Sequence, residues 1–526
     1  MSSQAALLRI GIDVGGTNTD AVLMRGRDVL AATKQPTTAD VTSGVRVAIA
    51  EILRLSGEAP SSVRAVMVGT THFVNAFVQR RELSAPVTIR IGLPMGSGIP
   101  PYADWPDDLR KTVGQHVYMV GGGCYYDGKE YASLDMNELL RIAGDIERLD
   151  VRDVAISSVF APVRPEYEQR AAELLLSAIP GLRITCSAEV GGLGLIEREN
   201  ATIINAALQP LAAKVVPAFQ QALSELGLDA RLFLTQNDGT LMDTAQAQRY
   251  PVLTCSAGPT NSMRGGAFLS GLDEAVVVDI GGTTTDVGVL ARGFPRETSE
   301  PFELGGVRTS FTTPDVLSVA LGGGTCITLA QGASAPRIGP ESVGYRLLTE
   351  ARVFGGTQLT ATDVAVARGT VSLGTPAGVR DLAPADIAGV SRAMHGLVEG
   401  AIDRLKTSAA PVPVVLVGGG AILIDHDLAG ASTVVRPEQG GVANAIGAAI
   451  AQVGGRVKRL FDYAQAGGRE AAIEQAQAEA TAAAIHAGAV PDSVRLVEVE
   501  EHPMPYMQTD AVDLRVRVVG DLAGVG

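Results

Sequence analysis

Two short stretches of the chain combine glycine, threonine and aspartate in the same order. Residues 11–24 read GIDVGGTNTDAVLM, and residues 278–291 read VDIGGTTTDVGVLA. Paired glycines let backbone N–H groups approach an anion without a Cβ atom in the way, and threonine hydroxyls donate further hydrogen bonds to phosphoryl oxygens. Each stretch therefore predicts a phosphate-binding loop. The residues expected to bind the phosphates are Gly15, Gly16, Thr17, Asn18 and Thr19 in the first loop and Gly281, Gly282, Thr283, Thr284 and Thr285 in the second.

An aspartate precedes each loop, Asp13 in the first copy and Asp279 in the second. A carboxylate does not bind phosphate directly because like charges repel, and a divalent cation between the two groups resolves the conflict. Both aspartates are therefore predicted to be Mg²⁺ ligands and catalytic residues, one of them orienting the nucleophile. For Asp20 and Asp286, at the other end of each loop, hydrogen bonding to the nearby backbone is the favoured interpretation.

The segments around the two loops predict β-hairpins. Apolar runs at residues 7–14 and 275–280 indicate a buried strand before each loop, and residues 21–24 and 287–293 indicate a return strand. Neither copy contains a dinucleotide-binding G-x-G-x-x-G or a Walker motif. One such loop alone is equally well explained as a tight turn, but two near-identical copies favour a polyphosphate held in a cleft between two domains.

A third glycine-rich stretch follows another predicted strand. Residues 411–423 read PVPVVLVGGGAIL, a buried strand that ends in three glycines. Such a turn leaves room for adenine and ribose, where side chains would collide with them. Two small-residue segments, at 440–455 and 197–216, are predicted as helices that cross between the lobes. The residues expected beside adenosine are Gly418, Gly419 and Gly420.

The order of these segments resembles the actin, sugar-kinase and heat-shock-chaperone ATPase superfamily. The amino-acid sequence of these segments resembles the A-type subunit of the hydantoinase/oxoprolinase family more closely still, and the resemblance covers about residues 8–460. The stretches that carry it include GIDVGGTNTDAVL, VGTTHFVNAFVQRR at 68–81, VAISSVFAPVRPEYEQ at 154–169, VGGLGLIERENATIINAAL at 190–208, LGGGTCITL at 321–329 and GPESVG at 339–344.

The resemblance implies a two-lobed α/β fold of the actin-like type, which is a duplicated ribonuclease H-like fold. The expected division is an N-terminal lobe at 1–200, a second lobe at 201–460 and a small α/β appendage at 461–526. Within the appendage, residues 470–489 predict a helix, and the alternating segments after it predict two strands. Docking of the appendage on a partner and packing on its own chain are equally compatible with the sequence.

The resemblance also implies a function, because family members couple ATP cleavage to reactions of unreactive carbonyl compounds. The expected protein is an ATP- and Mg²⁺-dependent hydrolase subunit that phosphorylates the carbonyl oxygen of a cyclic amide, such as a hydantoin, 5-oxoproline or a lactam, for ring opening. A chain of 526 residues leaves no room for a long fused B-type part, so a separate B-type partner in a hetero-oligomer is expected. The alternatives are the ATP-binding subunit of a ketone carboxylase and a non-enzymatic actin-like or reactivase ATPase.

Several other residues are weaker candidates for the substrate side of a site. His72 is a possible acid or base, although a core or surface histidine is the more favoured interpretation. Asn75 and Arg80 belong to the same motif. The Gly322–Gly324 stretch is either an anion loop or a turn. Asp315 and Asp363 are possible ligands, but solvated loop carboxylates explain them better. The family pattern has a histidine where this sequence has Val68, which puts the substrate in doubt.

Composition excludes several classes of function. The net charge of −14 and the pI near 5.0 argue against binding to nucleic acid or to an anionic membrane. The four cysteines are far apart, which argues against a zinc knuckle or an iron–sulfur cluster held by this chain. The N-terminal segment lacks the features of a signal peptide, and no apolar run approaches the length of a bilayer span. A soluble cytoplasmic protein is expected.

Overall fold

The computed structural model describes residues 7–37, 41–298, 301–329, 335–504 and 510–524. The strands are β1 Leu8–Val14, β2 Asn18–Arg25, β3 Asp28–Pro36, β4 Val63–Thr70, β5 Val87–Leu93, β6 His116–Gly121, β7 Gly123–Cys124, β8 Glu130–Ala132, β9 Asp153–Ser158, β10 Arg183–Cys186, β11 Arg231–Thr235, β12 Thr240–Asp243, β13 Ala275–Ile280, β14 Thr285–Ala291, β15 Phe294–Pro295, β16 Phe302–Leu304, β17 Val307–Thr309, β18 Val316–Val319, β19 Thr325–Thr328, β20 Arg337–Ser342, β21 Val412–Val417, β22 Ala431–Val435, β23 Gln452–Asp462, β24 Arg495–Pro503 and β25 Ala511–Gly520.

Helices alternate with these strands along most of the chain. The α-helices are α1 Val41–Ser56, α2 His72–Val78, α3 Asp107–Val113, α4 Met136–Leu149, α5 Glu166–Ala178, α6 Ser187–Val190, α7 Leu195–Glu225, α8 Thr244–Arg249, α9 Ala257–Ser270, α10 Leu347–Glu350, α11 Ala361–Ala367, α12 Pro384–Leu405, α13 Ala443–Ala449 and α14 Arg469–His486. Helix α7 includes the predicted helix at 197–216. By length and composition it could span a membrane, but 67% of its apolar window is buried inside the protein, as in a core helix.

Two sheets repeat the same strand order. In the first, β1, β2 and β3 form an antiparallel meander, and β4 and β11 add in parallel on the other side of β1. In the second, β13, β14 and β15 form the meander, and β21 and β22 add in parallel beside β13. This repeated order is the duplicated ribonuclease H-like arrangement, so the expected two-lobed actin-like α/β fold is confirmed.

The two hairpins that begin these sheets fold alike because their sequences are alike. Each first strand is an almost fully buried apolar run that ends at a glycine pair. In the first loop the Gly15 amide donates to the Asn18 carbonyl oxygen at 3.0 Å, and in the second the Gly281 amide donates to that of Thr284 at 2.9 Å. The sequence repeat is therefore also a repeat of structure.

Helices α9 and α13 pack against each other between the two sheets. Their backbones approach closely: a Cβ atom on Gly265 would lie 1.8 Å from the Ala443 carbonyl oxygen. The helix predicted over residues 440–455 is shorter in the structure, because the chain enters strand β23 at Gln452 and pairs with β12 and β25. The small residues at 452–455 are compatible with a helix, but pairing with the neighbouring strands makes them part of β23.

Helix α14 and strands β24 and β25 form where the sequence predicts them. They are not separate from the first lobe: β23, β25 and β24 extend the first sheet beyond β12, and four alanines of α14 are buried on the sheet side. Strands β11 and β12 also belong to the first sheet, although the sequence analysis assigned residues 201–460 to the second lobe. The domain boundaries at 200 and 460 remain predictions, and sheet membership does not follow them.

Candidate functional site

Both repeated hairpin loops and the Gly418 turn open onto one cavity of about 210 Å³. Helices α9 and α13 supply most of its remaining wall, together with Lys34 on β3, Thr71 before α2 and the Gly440–Gly441 pair before α13. The lining residues are Asp13, Gly15, Gly16, Thr17, Asn18, Asp20, Lys34, Thr71, Gly258, Pro259, Ser262, Asp279, Gly281, Gly282, Thr283, Thr284, Asp286, Gly418, Gly419, Gly440, Gly441, Ala443 and Asn444. The structure thus brings together three segments that are far apart in sequence.

The two loops face each other at close range. A Cβ atom on Gly282 would lie 3.1 Å from the Thr17 hydroxyl oxygen. Gly418 has a φ of 84°, and a Cβ atom there would lie 2.3 Å from Asp279 Oδ1. Only glycine fits at Gly418, because any side chain would collide with the carboxylate and the backbone would be strained.

Asp13 ends strand β1 and is almost fully buried beneath the first loop. The Asn444 side-chain amide donates to its Oδ2 at 3.1 Å, and the Asn261 amide lies 3.4 Å from its Oδ1. Burial raises the pKa of Asp13 to about 7, with a further rise from the nearby carboxylate of Asp20. A positive partner would therefore favour the ionised form of this carboxylate at neutral pH.

Asp279 occupies the matching place at the second loop. Burial raises its pKa to about 6, while a hydrogen bond from Ser262 opposes the rise. Two carboxylates of raised pKa in a cavity walled by glycine amides fit a divalent cation bound to phosphate, since the cation would compensate the negative charge that burial makes costly. The residues present therefore fit Mg²⁺ together with a nucleotide.

Asp20 and Asp286 have side-chain partners and line the cavity instead of capping the loops. Asp20 pairs directly across the hairpin from Asp13, and it accepts from Lys34 Nζ at 2.5 and 2.6 Å. Asp286 accepts a hydrogen bond from the Ser318 hydroxyl. The favoured interpretation of both residues as loop caps is corrected by these contacts.

Three of the predicted phosphate or adenosine contacts do not line the cavity. Thr19 is buried within β2. Thr285 donates its hydroxyl to the Leu321 carbonyl oxygen at 2.6 Å, which occupies that donor. Gly420 lies beneath the second loop, where a Cβ atom would be 2.6 Å from the side chain of Ile280. Thr19 and Thr285 lie in the return strands, where alternate residues face opposite sides, and their side chains face the core. Gly420 instead lies in the 3₁₀ helix Gly419–Leu423, packed against the end of β13.

The motif that contains His72 approaches the cavity through its neighbour Thr71. His72 is the first residue of α2, half-buried, and is not among the lining residues. Asn75 donates to the Thr71 hydroxyl at 3.2 Å, while Arg80 pairs with Asp108 at 2.7 Å. The proposed acid–base role of His72 remains a prediction.

The Gly322–Gly324 stretch supports the second loop from below. The Gly323 amide donates to the Gly281 carbonyl oxygen at 3.0 Å, and the Gly324 amide donates to that of Gly282 at 2.7 Å. These donors are engaged with protein, which favours the turn over the anion loop.

The two remaining candidate carboxylates have protein partners. Asp363 accepts hydrogen bonds from the Thr360 amide and hydroxyl in a capping box at the start of α11. Asp315 pairs with Arg296 at 2.6 Å. Both contacts are structural, and neither residue is a free loop carboxylate.

Sequence reasoning missed several polar residues of the cavity, among them Lys34, Thr71, Ser262 and Asn444. Asn444 stands in a helix of alanine, isoleucine and glycine, where a lone amide is unexpected unless it has a partner. That contrast was the available signal. The sequence gives no such signal for Lys34, because a lysine is ordinary in a strand whose residues alternate between exposed and half-buried.

Comparisons with known proteins match most of the chain. The family model described as the hydantoinase/oxoprolinase N-terminal region matches residues 9–179, and the model described as hydantoinase/oxoprolinase matches residues 198–400. The chain is 26% identical over 390 residues to caprolactamase subunit alpha of Pseudomonas jessenii. The aligned region covers 70% of this chain and 56% of that protein.

A second curated relative has another activity. The acetophenone carboxylase gamma subunit of Aromatoleum aromaticum is 25% identical over 417 residues, which covers 72% of this chain and 56% of that protein. The chain spans about half the length of the curated relatives it matches. Among solved structures, the ATP-dependent caprolactamase of Pseudomonas jessenii superimposes with a TM-score of 0.76 at 19% identity, covering 98% of this chain and 88% of that one. This likeness supports the fold.

Proposed function

Because the chain belongs to the hydantoinase/oxoprolinase family, we propose that it is the ATP-binding, A-type subunit of an ATP-dependent cyclic amidase. The observation that carries the proposal is the single cavity in which both repeated loops meet with the buried Asp13 and Asp279. The similarity to caprolactamase subunit alpha supports a cyclic amide as the substrate class.

The proposed chemistry explains why ATP is needed. An amide carbonyl is a poor electrophile, and transfer of the γ-phosphoryl group of ATP to its oxygen makes the ring carbon reactive towards water. After water adds, the C–N bond breaks and the ring nitrogen leaves with a proton as the amine. The acyl phosphate that remains is hydrolysed by a second water to the carboxylate and phosphate. In phosphoryl transfer the protein mainly positions the reactants and stabilises charge. Mg²⁺ would supply charge neutralisation at the phosphates, held by Asp13 and Asp279.

The chain's own residues have distinct parts in this proposal. The amides of Gly15, Gly16, Gly281 and Gly282 and the hydroxyls of Thr17 and Thr283 would donate to phosphoryl oxygens. Gly418 and Gly419 would leave room for the nucleoside. Lys34 donates to Asp20, which pairs across the hairpin from Asp13, so its positive charge offsets one of the two carboxylates at the first loop.

A B-type partner subunit is part of the proposal. The relatives are described as subunits: alpha in caprolactamase and gamma in acetophenone carboxylase. We therefore propose that the protein acts on the cyclic amide as part of a hetero-oligomer with a B-type subunit.

The second candidate function is the ATP-binding subunit of a ketone carboxylase. The match to the acetophenone carboxylase subunit supports it, because that match covers as much of this chain as the caprolactamase match does. The cavity serves both functions equally, since both would use ATP to activate a carbonyl oxygen.

The test is phosphate release by the purified chain, alone and mixed with a co-expressed B-type subunit, across hydantoins, 5-oxoproline, lactams, and ketones with bicarbonate. Stimulation by a cyclic amide, with the ring-opened product in equal amount, supports the amidase. Stimulation by a ketone with bicarbonate selects the carboxylase. ATP binding with no stimulation, accompanied by ATP-dependent polymerisation, would contradict both and indicate a non-enzymatic ATPase.

A further inference from the structure

A second cluster of chemically active side chains lies beyond the Gly418 turn and outside the nucleotide cavity. His395 lies on α12, and Asp425 and His426 follow the short 3₁₀ helix Gly419–Leu423. Their ligand-type atoms all lie within 4.8 Å of one another. No function described above uses these residues.

His395 has one ring nitrogen engaged and one left over. Its side chain is 3% exposed, and Nδ1 lies 2.8 Å from the Ser391 carbonyl oxygen, which requires the proton to be on Nδ1. Nε2 then carries a lone pair in the neutral ring. It is buried and has no hydrogen-bond partner within the described part of the chain, and it faces Asp425 Oδ1 at 3.4 Å.

The buried His395 Nε2 faces a carboxylate oxygen at the protein surface, Asp425 Oδ1, which also lies 2.7 Å from His426 Nδ1. A cation among these three atoms would compensate the lone pair and the negative charge that face each other. We propose that His395, Asp425 and His426 form a binding site for a divalent transition metal such as Zn²⁺ or Co²⁺. Two imidazole nitrogens and one carboxylate oxygen are the donor set such ions prefer, and a histidine that donates its other N–H to a backbone carbonyl is the usual arrangement of a metal ligand.

The distances fit a small ion after one side-chain adjustment. Tetrahedral Zn²⁺ with bonds of about 2.0–2.1 Å separates its ligands by roughly 3.3 Å, close to the observed 3.4 Å between His395 and Asp425. The His426 ring stacks on His395 at 3.7 Å with an interplanar angle of 11°, and its Nδ1 lies 2.7 Å from Asp425 Oδ1, so the ring must turn before both histidines can reach one ion. His426 is 58% exposed and can rotate to share the ion, while water fills the fourth position.

Arg368 sets the orientation of Asp425. Its Nε lies 2.8 Å from Asp425 Oδ2, which leaves Oδ1 facing the histidines. The same guanidinium donates to the Ile422 and Leu423 carbonyl oxygens. Its positive charge disfavours ions that depend on carboxylate charge alone, such as Ca²⁺ and Mg²⁺, and so favours nitrogen-preferring metals. A bound metal would fasten α12 to the segment that follows the Gly418 turn.

The test is metal titration of the full-length chain, without an affinity tag, treated with chelator and free of nucleotide. Co²⁺ is the probe, because its absorption reports tetrahedral coordination, and Zn²⁺ competition follows. We expect one saturable site, weakened at least about tenfold in His426→Ala and in Asp425→Asn. Removal of an exposed histidine on another element, His486→Ala, is the matched control and leaves the affinity unchanged.

Two results would overturn the proposal. One is an equal affinity for Co²⁺ in wild type, His426→Ala and Asp425→Asn. The other is the lack of saturable binding at micromolar metal, together with an NMR signal of a doubly protonated His395 ring at neutral pH, which would assign the cluster as an ion pair. Asp279→Asn must retain the site, and loss of Co²⁺ binding in that variant would place the metal in the nucleotide cavity.

Discussion

At the scale of residues, the nucleotide cavity is governed by two carboxylates that the fold keeps away from water. Asp13 and Asp279 lie at equivalent ends of equivalent strands, and burial raises the pKa of each. The hydrogen bonds from Asn444 and Ser262 compensate only part of the lost hydration. The charge of these two residues, more than their size, determines what the cavity can hold.

Replacing Asp279 by asparagine tests that charge directly. Asp279→Asn keeps the shape but removes the charge expected to hold the cation, so ATP hydrolysis should fall by at least about 100-fold. The melting temperature should not fall, because a buried charge is removed. The exposed Asp28→Asn is the matched control and should hydrolyse ATP like wild type. Normal turnover in Asp279→Asn would contradict the role assigned to this residue.

The raised pKa of Asp13 predicts how stability changes with pH. Its ordinary value is 3.8 and its value in the folded protein is about 7, so the folded state binds more protons over that interval. The contribution of Asp13 to the stability of the nucleotide-free protein should therefore decline as pH rises from about 4 to about 7. Thermal melts across this range should show a shallower decline in Asp13→Asn. Identical slopes in the two proteins would show that Asp13 does not titrate in this interval.

At the scale of elements, α9 and α13 pack against each other between the two sheets, and glycines determine how closely the two helices approach. A Cβ atom on Gly447 would lie 1.8 Å from the Asn261 carbonyl oxygen. The helices carry Asn261 and Asn444, which both contact Asp13. Spacing between the two helices therefore controls the position of a cavity residue.

The methyl group that an alanine adds at Gly447 should push these two helices apart. Gly447→Ala should destabilise the protein by about 1–3 kcal/mol, because the backbone contact must open, and it should weaken ATP binding through the displaced Asn261. Gly144→Ala, at an exposed place in α4 with nothing within 4 Å of the new Cβ, should instead stabilise by about 0.5–1 kcal/mol. Chemical denaturation and nucleotide titration measure both effects. Equal stability changes in the two variants would refute the packing argument.

The hairpins, the Gly418 turn and the C-terminal strands could be predicted from sequence because each depends on a local pattern. An apolar run closed by paired glycines specifies a strand and a tight turn wherever it stands. The end of α13 and the partners of Asp13 could not be predicted, because they depend on pairing with β25 and on a helix more than 240 residues away in the chain. Thr285 was misplaced for the same reason: Leu321, which accepts its hydroxyl, follows another strand.

At the scale of the whole molecule, a buried ion pair joins the two sheets. Glu297, just after β15 of the second sheet, lies 2.5 Å from Arg456 on β23 and 3.2 Å from Arg517 on β25. Glu297 and Arg517 are almost fully buried. The contact connects the C-terminal strands of the first sheet to the edge of the second.

Removing the charge of Glu297 should loosen this connection. Glu297→Gln removes the negative charge that Arg456 and Arg517 share. Arg517 keeps Glu498 at 3.1 Å and the Arg456 side chain is 26% exposed, so the cost should be about 2 kcal/mol. The exposed pair between Glu479 and Arg459 offers the matched control, and Glu479→Gln should cost less than about 1 kcal/mol. Equilibrium unfolding in urea measures both. A Glu297→Gln variant as stable as its control would show that the pair does not hold the sheets together.

The order of strands in the first sheet has a consequence for synthesis on the ribosome. Strand β12 ends at Asp243, and its neighbour β23 begins only at Gln452, so the whole second sheet is inserted between two adjacent strands of the first. During translation the second sheet can close with all its strands present while the edge of β12 is still unpaired. An unpaired edge is the surface that molecular chaperones and aggregation compete for. The edge of β12 therefore stays unpaired until residues more than 200 codons further along the message have been made.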